Sequence, residues 1–270
     1  MPLPDETRFF EKFFSALNAD KDVMQAYLRR FDAYYDENHP EYSRDRIFTG
    51  LNCYGGYKAR VRLVESVPIV RNELVLDVGP EMGMECLLLA EVYDRVLVTE
   101  PDIRTFRTLM GLAEHYLTQD GRKASEVLDI RHAGIVPPDA DCLSVTADGK
   151  DTGFYAFDAR GAEDIGKIFG REFADRVYCF HLALVMPAKP RLPTLLGALA
   201  SYCKPGGRLT WADSVSELTL VVSDGRDAPT WDSLEAIKSQ VKWLLPGFRT
   251  SFRLNRRHQL ITIARKQILS

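Results

Sequence analysis

The chain has 270 residues, of which 46% are hydrophobic and 27% charged, and its formal net charge is −3. That size and composition suit one globular domain with a sizeable core, or one domain with an appendage. The net charge is too small to predict attraction to nucleic acid or to an anionic membrane.

Residues 5–66 read as helical. Phe9, Phe10, Phe13 and Phe14 recur at i, i+1, i+4 and i+5, and Tyr27, Phe31, Tyr34 and Tyr35 at i, i+4, i+7 and i+8. Turn chemistry around Pro40, in DENHPEYSRDR, interrupts this pattern. From residue 73 strands alternate with helices. LVLDV is a buried strand, 84–93 a helix, RVLVTE a strand and IRTFRTLMGLAEHYL a longer helix. Such alternation implies a mostly parallel sheet covered on both faces. Residues 119–153 contain QDGRK, VPPDADC and ADGKDTG and read as a surface insertion with a hairpin. FYAFDARG then reads as the third strand, ending at Asp158, with Asp129 after EVL as the rival strand end. RVYCFHLALVM is the fourth strand, and a helix follows near 190–203. CKPGGRLTWAD supplies a helix stop, a Gly-Gly turn and the fifth strand. A helix at 230–245 and a hairpin of RTSFRL and QLITIAR, joined through NRRH, complete about seven strands.

The opening MPLPDETRFF has early acids and no apolar core of signal-peptide type. No run approaches the ~18–20 apolar residues that span a bilayer, so no membrane partner is expected. Five dispersed cysteines at no metal-binding spacing point to reduced thiols in a cytoplasm and to no metal site.

The chemistry concentrates in NELVLDVGPEMGMECLLLAEVYDRVLVTEPD, residues 72–102. A phosphate-cradling loop needs Gly-x-x-x-x-Gly-Lys-Ser/Thr; Met84 follows Gly83 here, and no lysine is near. A dinucleotide site needs Gly-x-Gly-x-x-Gly with a pyrophosphate at the helix N-terminus, and Gly79-Pro80-Glu81-Met82-Gly83 lacks that spacing. Asp77 and Glu81 would also face the diphosphate, at about 3 kcal/mol for each like-charge contact at ~5 Å and an effective dielectric near 20. S-adenosylmethionine removes the conflict. It has no phosphate, its sulfur is a sulfonium cation, and its ammonium suits a position near Asp77. Its carboxylate can take amides at the helix N-terminus, and its ribose diol needs an acceptor at the end of the next strand. Glu100 stands there, 23 residues after Asp77, close to the ~20-residue interval for that role.

Residues 73–103 resemble the first two motifs of class I S-adenosylmethionine-dependent methyltransferases. The family's acid-x-Gly-x-Gly-x-Gly appears as Asp77-Val78-Gly79-Pro80-Glu81-Met82-Gly83, and its strand-closing acid as Glu100-Pro101-Asp102. Glu81, at the middle glycine, is the departure. FDARG resembles the adenine-contacting third strand, which places Asp158 and Ala159 against the cofactor. FADRVYCFHLAL resembles the fourth strand, and YCKPGGRLTWAD the turn before the fifth. The resemblance implies an α/β fold with a Rossmann-like, seven-stranded, mostly parallel sheet, helices on both faces and an N-terminal helical cap. The cap or lid is residues 1–66 and the methyltransferase domain 67–270. It also implies S-adenosylmethionine held by Asp77, Gly79, Pro80, Glu81, Gly83, Glu100, Pro101, Asp158 and Ala159.

Two groups are candidate general bases: His181 at the exit of the fourth strand and Asp213 closing the fifth, because ligands of open α/β sheets gather at the carboxyl ends of strands. Twelve phenylalanines and tyrosines fall within residues 9–57. Helical packing accounts for most of them, while Tyr34, Tyr35, Tyr54 and Tyr57 are candidates to line the substrate cleft, where aromatic faces suit a sulfonium or cationic amine. The basic Arg249, Arg253, Arg256, Arg257, Arg265 and Lys266 read as a solvated edge that discourages strand addition, so nucleic acid is disfavoured. HLAL stands where the family's Asn/Asp-Pro-Pro-Tyr/Phe tetrad would accompany methylation of adenine or planar amide nitrogens. The expectation is methyl transfer to an oxygen or nitrogen of a small metabolite, as in natural-product biosynthesis, by a homo-oligomer or with a partner subunit. A non-methylating reaction on the same cofactor, such as an intramolecular displacement, or a non-catalytic partner role are the alternatives.

Overall fold

The computed structural model describes residues 3–29, 40–53, 56–80, 83–135, 144–145, 157–159, 161–180, 191–215, 218, 234–255 and 259–268. Four helices open the chain: α1 (Glu6–Ala19), α2 (Lys21–Arg29), α3 (Pro40–Cys53) and α4 (Gly56–Val64). Asp5 caps α1 by accepting from the Arg8 amide at 2.8 Å, which satisfies one of the open donors of the first turn. The phenylalanines Phe9, Phe10, Phe13 and Phe14 are all buried, as their spacing requires.

The alternating region begins with β1 (Val75–Val78), α5 (Met84–Val92), β2 (Val96–Thr99) and α6 (Ile103–Thr118). Every residue of β1 and β2 is buried, the mark of central strands covered on both faces. Next come α7 (Ala124–Val127), β3 (Leu128–Arg131) and four two-residue strands: β4 (Ala133–Gly134), β5 (Ser144–Val145), β6 (Phe157–Asp158) and β7 (Glu163–Asp164). The chain continues through α8 (Ile165–Phe169), β8 (Ala174–Phe180), α9 (Arg191–Tyr202), β9 (Cys203–Ser214), α10 (Leu234–Leu244), β10 (Phe248–Leu254) and β11 (Gln259–Lys266).

The main sheet has seven strands in the order β10-β11-β9-β8-β1-β2-β3. Strands β3, β2, β1, β8 and β9 run parallel, and β11 lies antiparallel between β9 and β10. The carboxyl ends of the parallel strands therefore converge on one edge. The third strand corrects an expectation. Leu128–Arg131, inside the segment read as an insertion, pairs with β2, whereas Phe157–Asp158 pairs antiparallel with Ser144–Val145 outside the sheet. The parallel pairing of β4 with β7 brings the chain back together after this excursion.

Two apolar clusters cover the two faces. One joins α1–α4 to α5, α6 and the β1, β8, β9 and β11 residues pointing that way, so the cap and the sheet share a continuous core. The other packs α8, α9 and α10 against the opposite face. Gly111 of α6 lets α2 approach closely, since a Cβ there would lie 2.6 Å from Val23 Cγ2. A charged seam reinforces the contact. Lys12 pairs with Glu91 at 2.8 Å and with Asp120, and its ammonium lies 3.9 Å from the Tyr116 ring centroid. Arg122 reaches Glu91 and Asp120 at 3.3 Å.

Candidate functional site

The glycine turn sits at the carboxyl edge of the sheet. Gly79 leaves β1 with φ +66, and its N–H donates to the Thr99 carbonyl at 2.8 Å, stitching the turn to the end of β2. Gly83 enters α5 with φ +76, a left-handed conformation that glycine adopts without cost. A Cβ at Gly83 would also lie 2.6 Å from Leu109 Cδ1 of α6. As N-cap, Gly83 supplies no side-chain hydrogen bond to the first turn of α5, so those amide donors remain available to a ligand. Pro80 is buried between the two glycines.

Three carboxylates surround this turn. Asp77 is fully buried in β1, and neither of its oxygens has a hydrogen-bond partner among the described residues. Burial first, and then the charges of Glu85 and Glu100, push its carboxyl well above the usual range. An isolated buried carboxylate is costly, so this position gains most from a cation. Glu100 lies just beyond β2, buried, with Oε1 accepting from the Asp102 amide at 2.9 Å. That bond turns the chain into α6, whose N-cap Asp102 accepts from the Thr105 amide and hydroxyl, both at 2.8 Å. Pro101 is fixed from outside: its carbonyl lies 2.9 Å from His132 Nε2, and a Cβ on Gly134 would come within 2.7 Å of its ring.

Asp77, Gly79, Pro80, Gly83, Glu100 and Pro101 thus lie around the turn. Glu81 lies outside the described residues, as do His181, Tyr34, Tyr35 and Tyr54. The backbone of Asp158 belongs to the β5–β6 pair, and Ala159 follows it half-buried; Asp158 does not end a strand of the main sheet. The sheet's third strand instead ends at Arg131, next to His132. Asp213 is buried, with one carboxylate oxygen accepting from the Trp211 indole N–H at 2.7 Å. Strand alternation places it with Trp211, on the face opposite Asp77. Tyr57 is buried against Phe9 and Phe10 and donates its hydroxyl to the Pro4 carbonyl, with its pKa raised to about 12 by burial and then by Asp5 and other nearby acids.

Sequence reasoning missed Glu85 and Arg60. They form a buried ion pair, with side chains 4% and 7% exposed, that ties α5 to α4. The signal was present: Glu85 is an acid in the first turn of a helix whose Met84, Cys86, Leu87, Leu88 and Leu89 are all buried, so it needs a cationic partner.

The strand order, with its antiparallel β11 between β9 and β10, decides the fold. The chain has the class I methyltransferase fold. No family model and no curated protein matches its sequence. Solved structures resemble it. A methyltransferase from Pyrococcus furiosus is 12% identical, with 78% of this chain and 83% of that chain covered and a TM-score of 0.46. A precorrin-6y C5,15-methyltransferase from Geobacter metallireducens is 10% identical, with 79% and 89% covered and a TM-score of 0.46. An N-methyltransferase from Bradyrhizobium japonicum is 13% identical, with 78% and 94% covered and a TM-score of 0.45. At these identities the likeness concerns chain topology; what the site binds must come from its own residues. Among the described residues no helix is long and apolar enough to cross a membrane.

Proposed function

We propose that the protein is an S-adenosylmethionine-dependent methyltransferase that methylates an oxygen or nitrogen of a small molecule. The observation that carries this reading is Asp77: a buried carboxylate without a hydrogen-bond partner among the described residues, beside a glycine N-cap that supplies no side-chain bond to the helix amides, with Glu100 at the end of the neighbouring strand. The residues present fit the cofactor. Asp77 suits its ammonium, the α5 amides its carboxylate and Glu100 its ribose diol, while the acidic surroundings oppose a diphosphate.

When bound, S-adenosylmethionine supplies a methyl group activated by the sulfonium. The chain's own residues orient the ligand, exclude water and fix the direction of approach, which can supply most of the acceleration in a displacement of this kind. Gly79 and Gly83 allow close backbone approach. The continuous core beneath the cap helices backs the site. Asp213 already bonds Trp211 on the opposite face, which favours His181 over Asp213 as the general base if the acceptor must lose a proton.

Thermal denaturation with S-adenosylmethionine and its demethylated product tests the reading. Ligand at ~100 times its dissociation constant should stabilise the fold by about 2.7 kcal/mol, and Glu100→Ala should remove most of that shift. No shift with either ligand rejects the proposal. Product mass then separates methyl transfer, which adds one methyl group to the acceptor, from a non-methylating reaction, which does not.

A further inference from the structure

The pleat decides which side chains share a face at the β10-β11-β9 end of the sheet. Phe248, Phe252, Leu260, Ala264, Leu209 and Trp211 belong to the cluster under α8, α9 and α10. Their alternates face the cap side, where Ala212 and Ile261 are buried and Ile263 is half-buried. The cover ends there: Arg249, Ser251 and Arg253 of β10 and Arg265 of β11 are exposed, and Arg208 of β9 is half-buried. Strand register sets Arg249 opposite Arg265, Arg265 opposite Arg208, and Arg208 opposite Arg176. Like charges directly opposite one another destabilise a sheet. The innermost of the row is neutralised, since Arg176 is buried and paired with Glu73. Arg208, Arg249, Arg253 and Arg265 have no ion pair among the described residues.

The same region has an open backbone edge, because β10 is last in the sheet order. Asn255 N–H donates to the Gln259 carbonyl at 3.1 Å, and Gln267 N–H to the Gly247 carbonyl at 2.8 Å. These bonds fix the alternation of the β10–β11 ladder, so the backbone groups of Thr250, Phe252 and Leu254 point away from β11. Charge on an edge strand guards it against a second copy of itself, which accounts for Arg249 and Arg253. It does not account for Arg265 and Arg208, whose strands are paired on both sides.

We propose that the β10 edge docks an extended acidic segment of a partner protein, which joins the seven-stranded sheet as a further strand. Main-chain hydrogen bonds to β10 supply affinity, and alternate side chains supply specificity. Acids at every second position meet the unpaired arginines, while the apolar residues between them continue the face of the half-buried Phe248 and Phe252. The arginines that repel another β10 thus attract this strand. Single-stranded nucleic acid would need aromatic platforms for its bases, and the open face has Ser251, Ile263 and Thr210 among its arginines. Three strands separate β10 from β1, so the docking edge is distinct from the cofactor turn.

A nine-residue peptide alternating glutamate with valine, blocked at both ends, tests this against the full chain. Backbone NMR should show saturable shifts at Thr250, Phe252 and Leu254, with slowed hydrogen exchange at those amides. The same peptide with lysine for glutamate should not bind, and one with a central proline should bind about fivefold or more weakly, because proline cannot complete the ladder. Arg249→Gln combined with Arg265→Gln should weaken the glutamate peptide about fivefold or more, a loss expected of two exposed charge pairs, and relieves repulsion within the fold. No shift at these amides with millimolar peptide overturns the proposal, as does binding indifferent to the proline or to the arginine substitutions. Polyuridylate binding these arginines more tightly than the peptide would overturn it in favour of nucleic acid.

Discussion

The seam beneath α1 and the mouth of the glycine turn are both charged and partly or wholly buried, yet they balance charge differently. In the seam two cations, Lys12 and Arg122, meet two anions, Glu91 and Asp120, and each anion has both partners. Although burial opposes ionisation of Asp120, bonding to Lys12 and then Arg122 holds its carboxyl below the usual range. At the mouth three acids, Asp77, Glu85 and Glu100, gather with Arg60 as the paired cation of Glu85. Burial and like charge push Asp77 the other way. Matched charges fasten two layers together. An excess of one sign, kept buried, marks a place for a ligand of the other sign.

The largest test of this contrast removes the one counter-ion assigned to Glu85. Arg60→Ala should cost about 3–5 kcal/mol, because it leaves a buried carboxylate uncompensated beside Asp77; chemical denaturation measures it, and a loss below 1 kcal/mol would mean the pair is already hydrated. Gly83→Ala should cost about 2–4 kcal/mol, combining left-handed strain with collision against Leu109, and should weaken S-adenosylmethionine binding in a calorimetric titration. Lys12→Met should cost less, about 1–2 kcal/mol, since Arg122 continues to serve both anions. The smallest change should have the opposite sign. Asp77→Asn should raise the melting temperature of the ligand-free protein by a few degrees at neutral pH. The native carboxyl holds its proton above the ordinary value of 3.8, so the native state binds more protons than the unfolded chain over that interval. Stability therefore falls as pH rises from near 3.8 towards the raised native pKa. Melting curves across that range should lose this slope in Asp77→Asn.

How much was legible in the sequence differs between the same two kinds of feature. Asp77, Gly79, Gly83 and Glu100 lie within one strand–turn–helix–strand unit, where local spacing and buried apolar runs fix their places. The third strand was misread for a physical reason. β3 is the sheet edge, its Asp129 and Ile130 are half-buried and its Arg131 exposed, so EVLDIR lacks the apolar run of the central strands. FYAFDARG has such a run, but Phe157 and Asp158 serve a small antiparallel pair. Tyr57 shows the same limit: its sequence suggested a residue lining the substrate cleft, and only the fold brings Phe9 and Phe10 against its ring. The Arg60–Glu85 pair spans 25 residues, and only the fold brings its members together.

The central claim is that a buried acid under the glycine turn awaits a cationic nucleoside. Calorimetric titration of S-adenosylmethionine and of a nicotinamide dinucleotide, into the unmodified protein and into Asp77→Asn, from acid to neutral pH, tests it most directly. S-adenosylmethionine should bind one to one, more tightly as Asp77 ionises, with both affinity and pH slope reduced in the variant, while the dinucleotide should not bind. Tighter binding of the dinucleotide, or S-adenosylmethionine affinity indifferent to Asp77→Asn, would contradict the account.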